Sequence, residues 1–208
     1  MGGGCFVTIE GGEGAGKSTL LGALVERARA GGAEVVACRE PGGTALGERL
    51  REALLGAPAA PDGRAELLVF AAARAQLVAD VIRPALARGT IVVCDRYTDS
   101  TVAYQHHGRG IARAAVDAAN EVATGGLAPA LTLLLDIAPG VGLRRAGSAS
   151  DYFERERLDF HERVRAGYLE LARAQPQRWR VLDATRPAAE LAAAGWSELA
   201  SAAHLTAS

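Results

Sequence analysis

The sequence predicts an α/β fold in which a five-stranded parallel sheet carries helices on both faces. Three observations predict it. Short apolar runs alternate with longer helical patterns, the order of repeated βα units. Those runs are apolar throughout rather than at every second residue, as in strands covered on both sides. A glycine-rich turn joins the first run to the first helical pattern, in the segment IEGGEGAGKSTLL. The chain has 208 residues, the length of one well-buried domain, and no repeat or linker divides it. Residues 1–208 are therefore read as a single domain.

CFVTI (5–9) reads as the first buried strand. STLLGALVERARA follows as a helix with Leu21, Leu24, Val25 and Ala28 on one face, and Gly31-Gly32 stop it. EVVAC (34–38) is the second strand. Residues 64–83 form a long helical pattern that Pro84 kinks or ends. TIVVCD (90–95), rich in β-branched residues, is the third strand. Residues 111–123 read as helix, LTLLLD (131–136) as the fourth strand, 154–174 as helix and WRVLD (179–183) as the fifth strand. An alanine-rich helix closes the chain.

Bulk composition excludes several classes. The net charge is −1, so no overall field draws the chain to nucleic acid or to an anionic membrane. No run of 18 apolar residues is present, so no membrane span is expected. MGGGCF begins like an acylation signal, but Phe6 stands where Ser or Thr is needed. No basic segment precedes an apolar one, so no secretory signal is read. Cys5, Cys38 and Cys94 form no CxxC pair and sit in or beside apolar runs, which reads as three free thiols in a reducing compartment. The expected location is the cytoplasm.

The glycine-rich turn carries the first chemistry. Gly11-x-x-x-x-Gly16-Lys17-Ser18 is the phosphate-binding loop pattern. Glycine in an element interior costs about 0.5–1 kcal/mol relative to alanine, so something must offset it. Here the glycines let successive N–H groups point inward as a nest for anionic oxygens. The following helix adds its positive end. Gly11, Gly12, Glu13, Gly14, Ala15, Gly16, Lys17, Ser18 and Thr19 are thus the candidate nucleotide-binding stretch. Lys17 supplies charge to the β- and γ-phosphates, and Ser18 is a candidate Mg²⁺ ligand. The predicted architecture is accordingly the three-layer P-loop NTPase fold.

Ligands in such sheets bind beyond the carboxyl ends of the strands. Arg39 to Thr44 and Asp95 to Gln105 fall there. Arginine suits phosphate because its planar fork donates two hydrogen bonds. Asp95 is placed to hold the Mg²⁺ shell, and Arg96 to clamp a phosphoryl group. Arg74, on the long helix, is read either as a further phosphate-binding arginine or as part of a solvated helix face.

Beyond the loop EGGEGAGKST, the segments REPGGT (39–44), LLVFAAARAQ (67–76) and DRYTDSTVAYQHHGRG (95–110) resemble bacterial thymidylate kinases. So do LDIAPGVGLRRA (135–146), FHERVRAGYLELA (160–172) and LDATRP (182–187), in order along nearly the whole chain. The resemblance implies the reaction ATP + dTMP → ADP + dTDP with Mg²⁺, in a homodimer built through the helices around 64–83 and 111–123. By position it implies that Phe70 stacks on thymine and that Arg74 reaches the base edge. Arg96 takes the acceptor phosphate, with Glu13 and Arg39 nearby. Pro41, Ser100, Thr101 and Gln105 belong to the acceptor pocket, and Tyr104 crowds the sugar's 2′ position. Asp183, Ala184 and Thr185 pass the adenine.

Residues 144–157 read as a charged lid able to exclude water and bring charge to the transferring group. The family supplies an arginine from a pattern like Asp-Arg-x-Glu. This chain has Asp151-Tyr152-Phe153-Glu154, with tyrosine at the arginine position. Arg155, one helical turn from Tyr152, is the expected substitute, ahead of Arg145 and Arg157. His106-His107 are read as a solvated loop rather than a metal site. Two other readings stand beside the main one. One is a kinase for a different deoxynucleotide or nucleoside, with a changed base pocket. The other is a nucleotide-binding module whose lid no longer supports catalysis. A P-loop motor leaves REPGGT and the Asp95-Arg96 segment unexplained.

Overall fold

The computed structural model describes residues 4–57, 61–147 and 152–205. Among them, β1 (Phe6–Gly11), β2 (Val35–Arg39), β3 (Ile91–Asp95), β4 (Leu131–Asp136) and β5 (Trp179–Asp183) form one sheet. Every pairing is parallel and the order is β2-β3-β1-β4-β5. The expected fold class is the one observed. β1 is central, with Val7 aligned to Val93 on one side and Leu131 on the other. The edge strands differ from the inner ones. β2 leaves Ala37 and Arg39 exposed, and β5 leaves Val181 and Asp183 exposed.

Side-chain alternation along β1 and β4 divides the core between two faces. Val7, Ile9, Leu133 and Leu135 meet α1 (Lys17–Ala30) and α9 (Ala188–Ala202) through Leu20, Leu24 and Leu199. On the opposite face Phe6 and Cys94 pack with Leu77, Ile82 and Tyr97. Leu134 packs there with Phe160, Val164 and Tyr168 of α8 (Leu158–Ala174) and Val116 of α6 (Arg113–Thr124). Each such buried aliphatic or aromatic side chain contributes about 1.5–3 kcal/mol. These residues hold the carboxyl ends of β1, β3 and β4 side by side, and the site lies there.

Two helices escaped the sequence reading. α2 (Ala45–Leu55) begins where the Thr44 side chain accepts a hydrogen bond from the Gly47 amide. α7 (Pro139–Ala146) opens with proline in its first turn, where no N–H is needed. The long helix also differs from expectation. α3 (Gly63–Leu77) runs into a π turn at Val78–Ile82 and continues as α4 (Arg83–Ala87). Pro84 neither ends nor breaks it, because the widened turn just before it absorbs the missing donor and the ring's bulk.

The segment after β3 is helical as well: α5 (Thr98–Thr101) passes into a second π turn, Val102–Gly108. His106 and His107 are therefore half-buried helix residues and not a solvated loop. His106 Nδ1 lies 2.7 Å from the Ile111 carbonyl, and a Cβ at Gly167 would run into the His107 ring. Helix was expected from residue 154, but residues 152–155 form a turn and α8 starts only at Leu158.

Candidate active site

The loop between β1 and α1 has the backbone its sequence calls for. Gly14 and Gly16 take φ of 65° and 94°, left-handed values that favour glycine. A Cβ on Gly14 would collide with the Gly142 carbonyl, so the loop lies directly against α7. Lys17 is buried at the start of α1, and its Nζ donates to the Gly12 carbonyl at 2.8 Å, arching over the loop. Burial, then Arg96, pulls its pKa below the ordinary lysine range. Ala15 is buried beneath the loop, and Thr19 is exposed as the third residue of the helix. Ser18 Oγ donates to Asp95 Oδ2 at 3.1 Å, which places a hydroxyl and a carboxylate together at the loop's mouth. Such hard oxygen donors suit Mg²⁺, which uses few protein ligands beside water and phosphate.

Next to this loop lies an open cleft of about 580 Å³. Glu13, Pro41, Phe70, Arg74 and Arg96 line it, as do Ser100, Thr101, Tyr104 and Gln105. Arg39 does not line it. It is exposed on edge strand β2 and pairs with Glu48 at 2.8 Å, so the phosphate-binding place expected for it is not where the structure puts it.

Arg96 occupies a left-handed backbone, φ 71°, uncommon for a residue with a side chain. Its amide bonds the Ile9 carbonyl at 3.0 Å, which fixes that turn. The guanidinium then reaches Gly11 O at 3.0 Å, Tyr168 Oη at 3.1 Å and Glu13 Oε1 at 2.8 Å. It also sits 4.9 Å from the centre of the Tyr104 ring. Tyr104 Oη donates to the same Glu13 oxygen at 2.6 Å. Burial alone would push the Glu13 carboxyl up, but Arg96, Lys17 and the Tyr104 hydroxyl together hold it down at about 2.

Arg74 is 1% exposed, so the solvated-face reading fails. Its Nε donates to Glu40 Oε2 at 2.8 Å, Nη1 to Asn120 Oδ1 at 2.7 Å and Nη2 to the Tyr97 carbonyl at 3.2 Å. Glu40 Oε1 is buried with no hydrogen-bond partner among the described residues. Phe70 stands half-buried beside it, 6.1 Å from Phe153 between ring centres. Ser100 Oγ donates to Glu10 Oε2 at 2.6 Å, and Gln105 Nε2 to the buried Glu66 at 2.7 Å.

The donor side is open. Thr185 donates to Asp183 Oδ1 through both its amide (2.9 Å) and its hydroxyl (2.6 Å), which shapes the turn after β5. Ala184 is buried inside that turn, and Arg145 of α7 donates to its carbonyl at 2.7 Å. Asp151 of the expected lid pattern, with residues 148–150, lies outside the described residues. Tyr152 is buried, 4.3 Å from Phe153 between ring centres, whereas Arg155 is exposed. The two share no face, so the helical argument for Arg155 fails, and its exposure is what remains. Arg157 bonds Asp159 at 3.3 Å.

Several cleft residues had not been anticipated. Arg51 lines it and donates to the Pro41 carbonyl at 3.1 Å. The signal was present in Thr44 as a cap with Leu50 and Leu54 at helical spacing, which mark α2. Glu40, Leu55 and Phe153 also line the cleft, while Glu10 and Tyr168 support it from beneath. No local pattern announces these, because they come together only through the sheet.

The family described as Thymidylate kinase matches residues 9–194. A thymidylate kinase of Deinococcus radiodurans is 50% identical over 203 residues, covering 97% of this chain and 98% of that protein. One from a Synechococcus strain is 55% identical over 193 residues, covering 92% of each. The crystal structure of thymidylate kinase from Ehrlichia chaffeensis superimposes with a TM-score of 0.78 at 32% identity, over 95% of this chain and 99% of that one. The family match along residues 9–194 and the full-length likeness show that the chain belongs to the thymidylate kinase family.

Proposed function

We propose that one kinase domain spanning the chain transfers the γ-phosphoryl group of ATP to dTMP, giving ADP and dTDP. The observation that carries this is the Arg96 hydrogen bond to the Gly11 carbonyl, which ties the acceptor clamp to the donor loop. Transfer of a phosphoryl group asks the protein mainly for positioning and charge. The loop amides and Lys17 hold the donor's β- and γ-phosphates. Arg96 holds the acceptor phosphate, one oxygen of which attacks the γ-phosphorus as the bond to the β-phosphate oxygen breaks. Glu13, kept ionised, fixes Arg96 and Tyr104 in place beforehand. Ser18 and Asp95 would hold Mg²⁺, which would supply charge neutralisation on the donor phosphates. Phe70 stacks on thymine, and Arg74 and Gln105 read its polar edge with Ser100 and Thr101. Tyr104 crowds the 2′ position. Asp183, Ala184 and Thr185 pass the adenine.

A coupled ADP-release assay with ATP tests this against dTMP, dUMP, the ribose form of TMP, dCMP and thymidine. The expected result is fastest release with dTMP, none above background with thymidine, and loss on chelating Mg²⁺. Binding of both nucleotides without release would favour the impaired-lid reading, which the burial of Tyr152 at the arginine position motivates. We also propose a cytoplasmic homodimer. Its support is the family likeness together with Leu68 on α3 and Val122 on α6, which are 64% and 87% exposed on helices that pack together.

A further inference from the structure

The reaction leaves two cysteines unused directly beneath the acceptor cleft. Cys38 on β2 and Cys94 on β3 are register partners in adjacent parallel strands. Both pack into the same cluster around Leu77 and Tyr97, so both side chains stand on one face of the sheet. Neighbouring strands lie about 4.8 Å apart, inside the roughly 4.4–6.8 Å that a disulfide spans between Cα atoms. Cys94 is fully buried, whereas Cys38, on the edge strand, is half-buried and free. Each cysteine leads straight into the site. Glu40, which holds Arg74, stands two residues beyond Cys38. Arg96 stands two residues beyond Cys94, and the Cys94 thiol donates to the Arg96 carbonyl at 3.1 Å.

We propose that Cys38 and Cys94 form an oxidisable dithiol, a modification site that a peroxide closes to an intramolecular disulfide and so loosens the acceptor clamp. The order of events follows from access. Cys38, on the open edge, attacks the peroxide oxygen as its thiolate. It becomes a sulfenic acid, while the departing hydroxide takes a proton and leaves as water. The Cys94 sulfur then attacks the Cys38 sulfur. The S–S bond forms, and the sulfenic hydroxyl leaves with the Cys94 proton as a second water. Two thiols are oxidised and one peroxide is reduced, with no other reactant. Cys94 is fully buried and faces Cys38 in register, so it takes the second step, where its partner is already adjacent, and not the first. Closure removes the S–H donor that steadies the Arg96 carbonyl at its left-handed turn. The effect therefore falls on the acceptor phosphate clamp, and this part rests on the proposed kinase reading.

The test treats the reduced chain with hydrogen peroxide and reads three things: intact mass, a non-reducing peptide map, and ADP release with dTMP. The expected result is loss of two hydrogens, a Cys38–Cys94 linked peptide, and a KM for dTMP raised about tenfold, the equivalent of one lost hydrogen bond. Dithiothreitol restores all three. Cys38→Ser abolishes the link and keeps the reduced activity, while Cys5→Ser keeps the link. A map showing only oxygen-bearing Cys38, or no linked peptide, overturns the site. A linked peptide with an unchanged KM overturns the coupling to the clamp. Absence of ADP release in the reduced chain is a failure of the kinase reading instead, since the peptide map does not depend on turnover.

Discussion

Glu10 and Glu13 stand three residues apart and hold their protons in opposite ways. Glu10 is fully buried, and burial together with the nearby Asp99 raises its pKa to about 8. Ser100 Oγ at 2.6 Å and Tyr168 Oη at 3.0 Å donate to its Oε2, while the Tyr97 amide donates to its other oxygen at 2.8 Å. Glu13 sits at about 2 because Arg96 and Lys17 outweigh its burial. The linkage signs follow from the ordinary glutamate value of 4.5 for both groups unfolded. For Glu10 the folded chain binds more protons, so its contribution to stability is full below about pH 4.5 and is lost as pH rises through 8. For Glu13 the contribution is present above about pH 4.5 and is lost as pH falls toward 2. Thermal unfolding of the chain and of Glu10→Gln from pH 5 to 9 checks the first. The expected outcome is that the unsubstituted chain loses stability relative to the variant as pH rises. Parallel curves would refute it. Neither shift was legible in the sequence, because each depends on residues 83 to 158 positions away along the chain.

At the scale of elements, reading was best where packing alone decides. The five strands were found because inner strands must be apolar along their whole length. β4 and β5 match the expected bounds, 131–136 and 179–183, to the residue. It was poorest where a local device overrides the pattern. The π turns at Val78–Ile82 and Val102–Gly108 carry the chain through segments that read as a proline break and a loop. The turn at 152–155 likewise breaks a helical pattern that the charges and apolar residues continue. That turn matters for the lid arginine. Arg157 is engaged with Asp159, and Arg145 with Ala184, so among the described residues Arg144 and Arg155 are the exposed lid cations without such a partner, and of the two Arg155 lies in the turn itself. Steady-state turnover of three variants checks the assignment. Arg155→Ala is expected to lose about 1,000-fold or more in kcat, within the range of arginine fingers. Arg157→Ala is expected to stay within about twofold, as surface ion pairs contribute little. Arg145→Ala is expected to raise the KM for ATP, since it loosens the turn beside the donor site. An unchanged kcat for Arg155→Ala would remove it from the mechanism.

Across the whole molecule, the phosphate loop and nine of the ten expected acceptor-side residues converge on one end of the sheet, with Arg39 the exception. Strand-end segments were enough to find them because a parallel sheet gathers all its carboxyl ends on one side. What gathers around them from α2 and α8 depends on packing at long range. The proposed dimer belongs to this scale too. Leu68→Glu combined with Val122→Glu should leave a single chain folded, because both positions are exposed. Light scattering after gel filtration is expected to show twice the chain mass for the unsubstituted protein and one chain mass for the variant. Equal masses would exclude that face. The contact between Gly14 and Gly142 has a consequence that reaches beyond either residue. Donor loop and lid root share a wall too thin to admit a single methyl group. Neither can shift without displacing the other, so the filling of one compartment is felt at the hinge of the next, and a compound wedged into that seam would jam both at once.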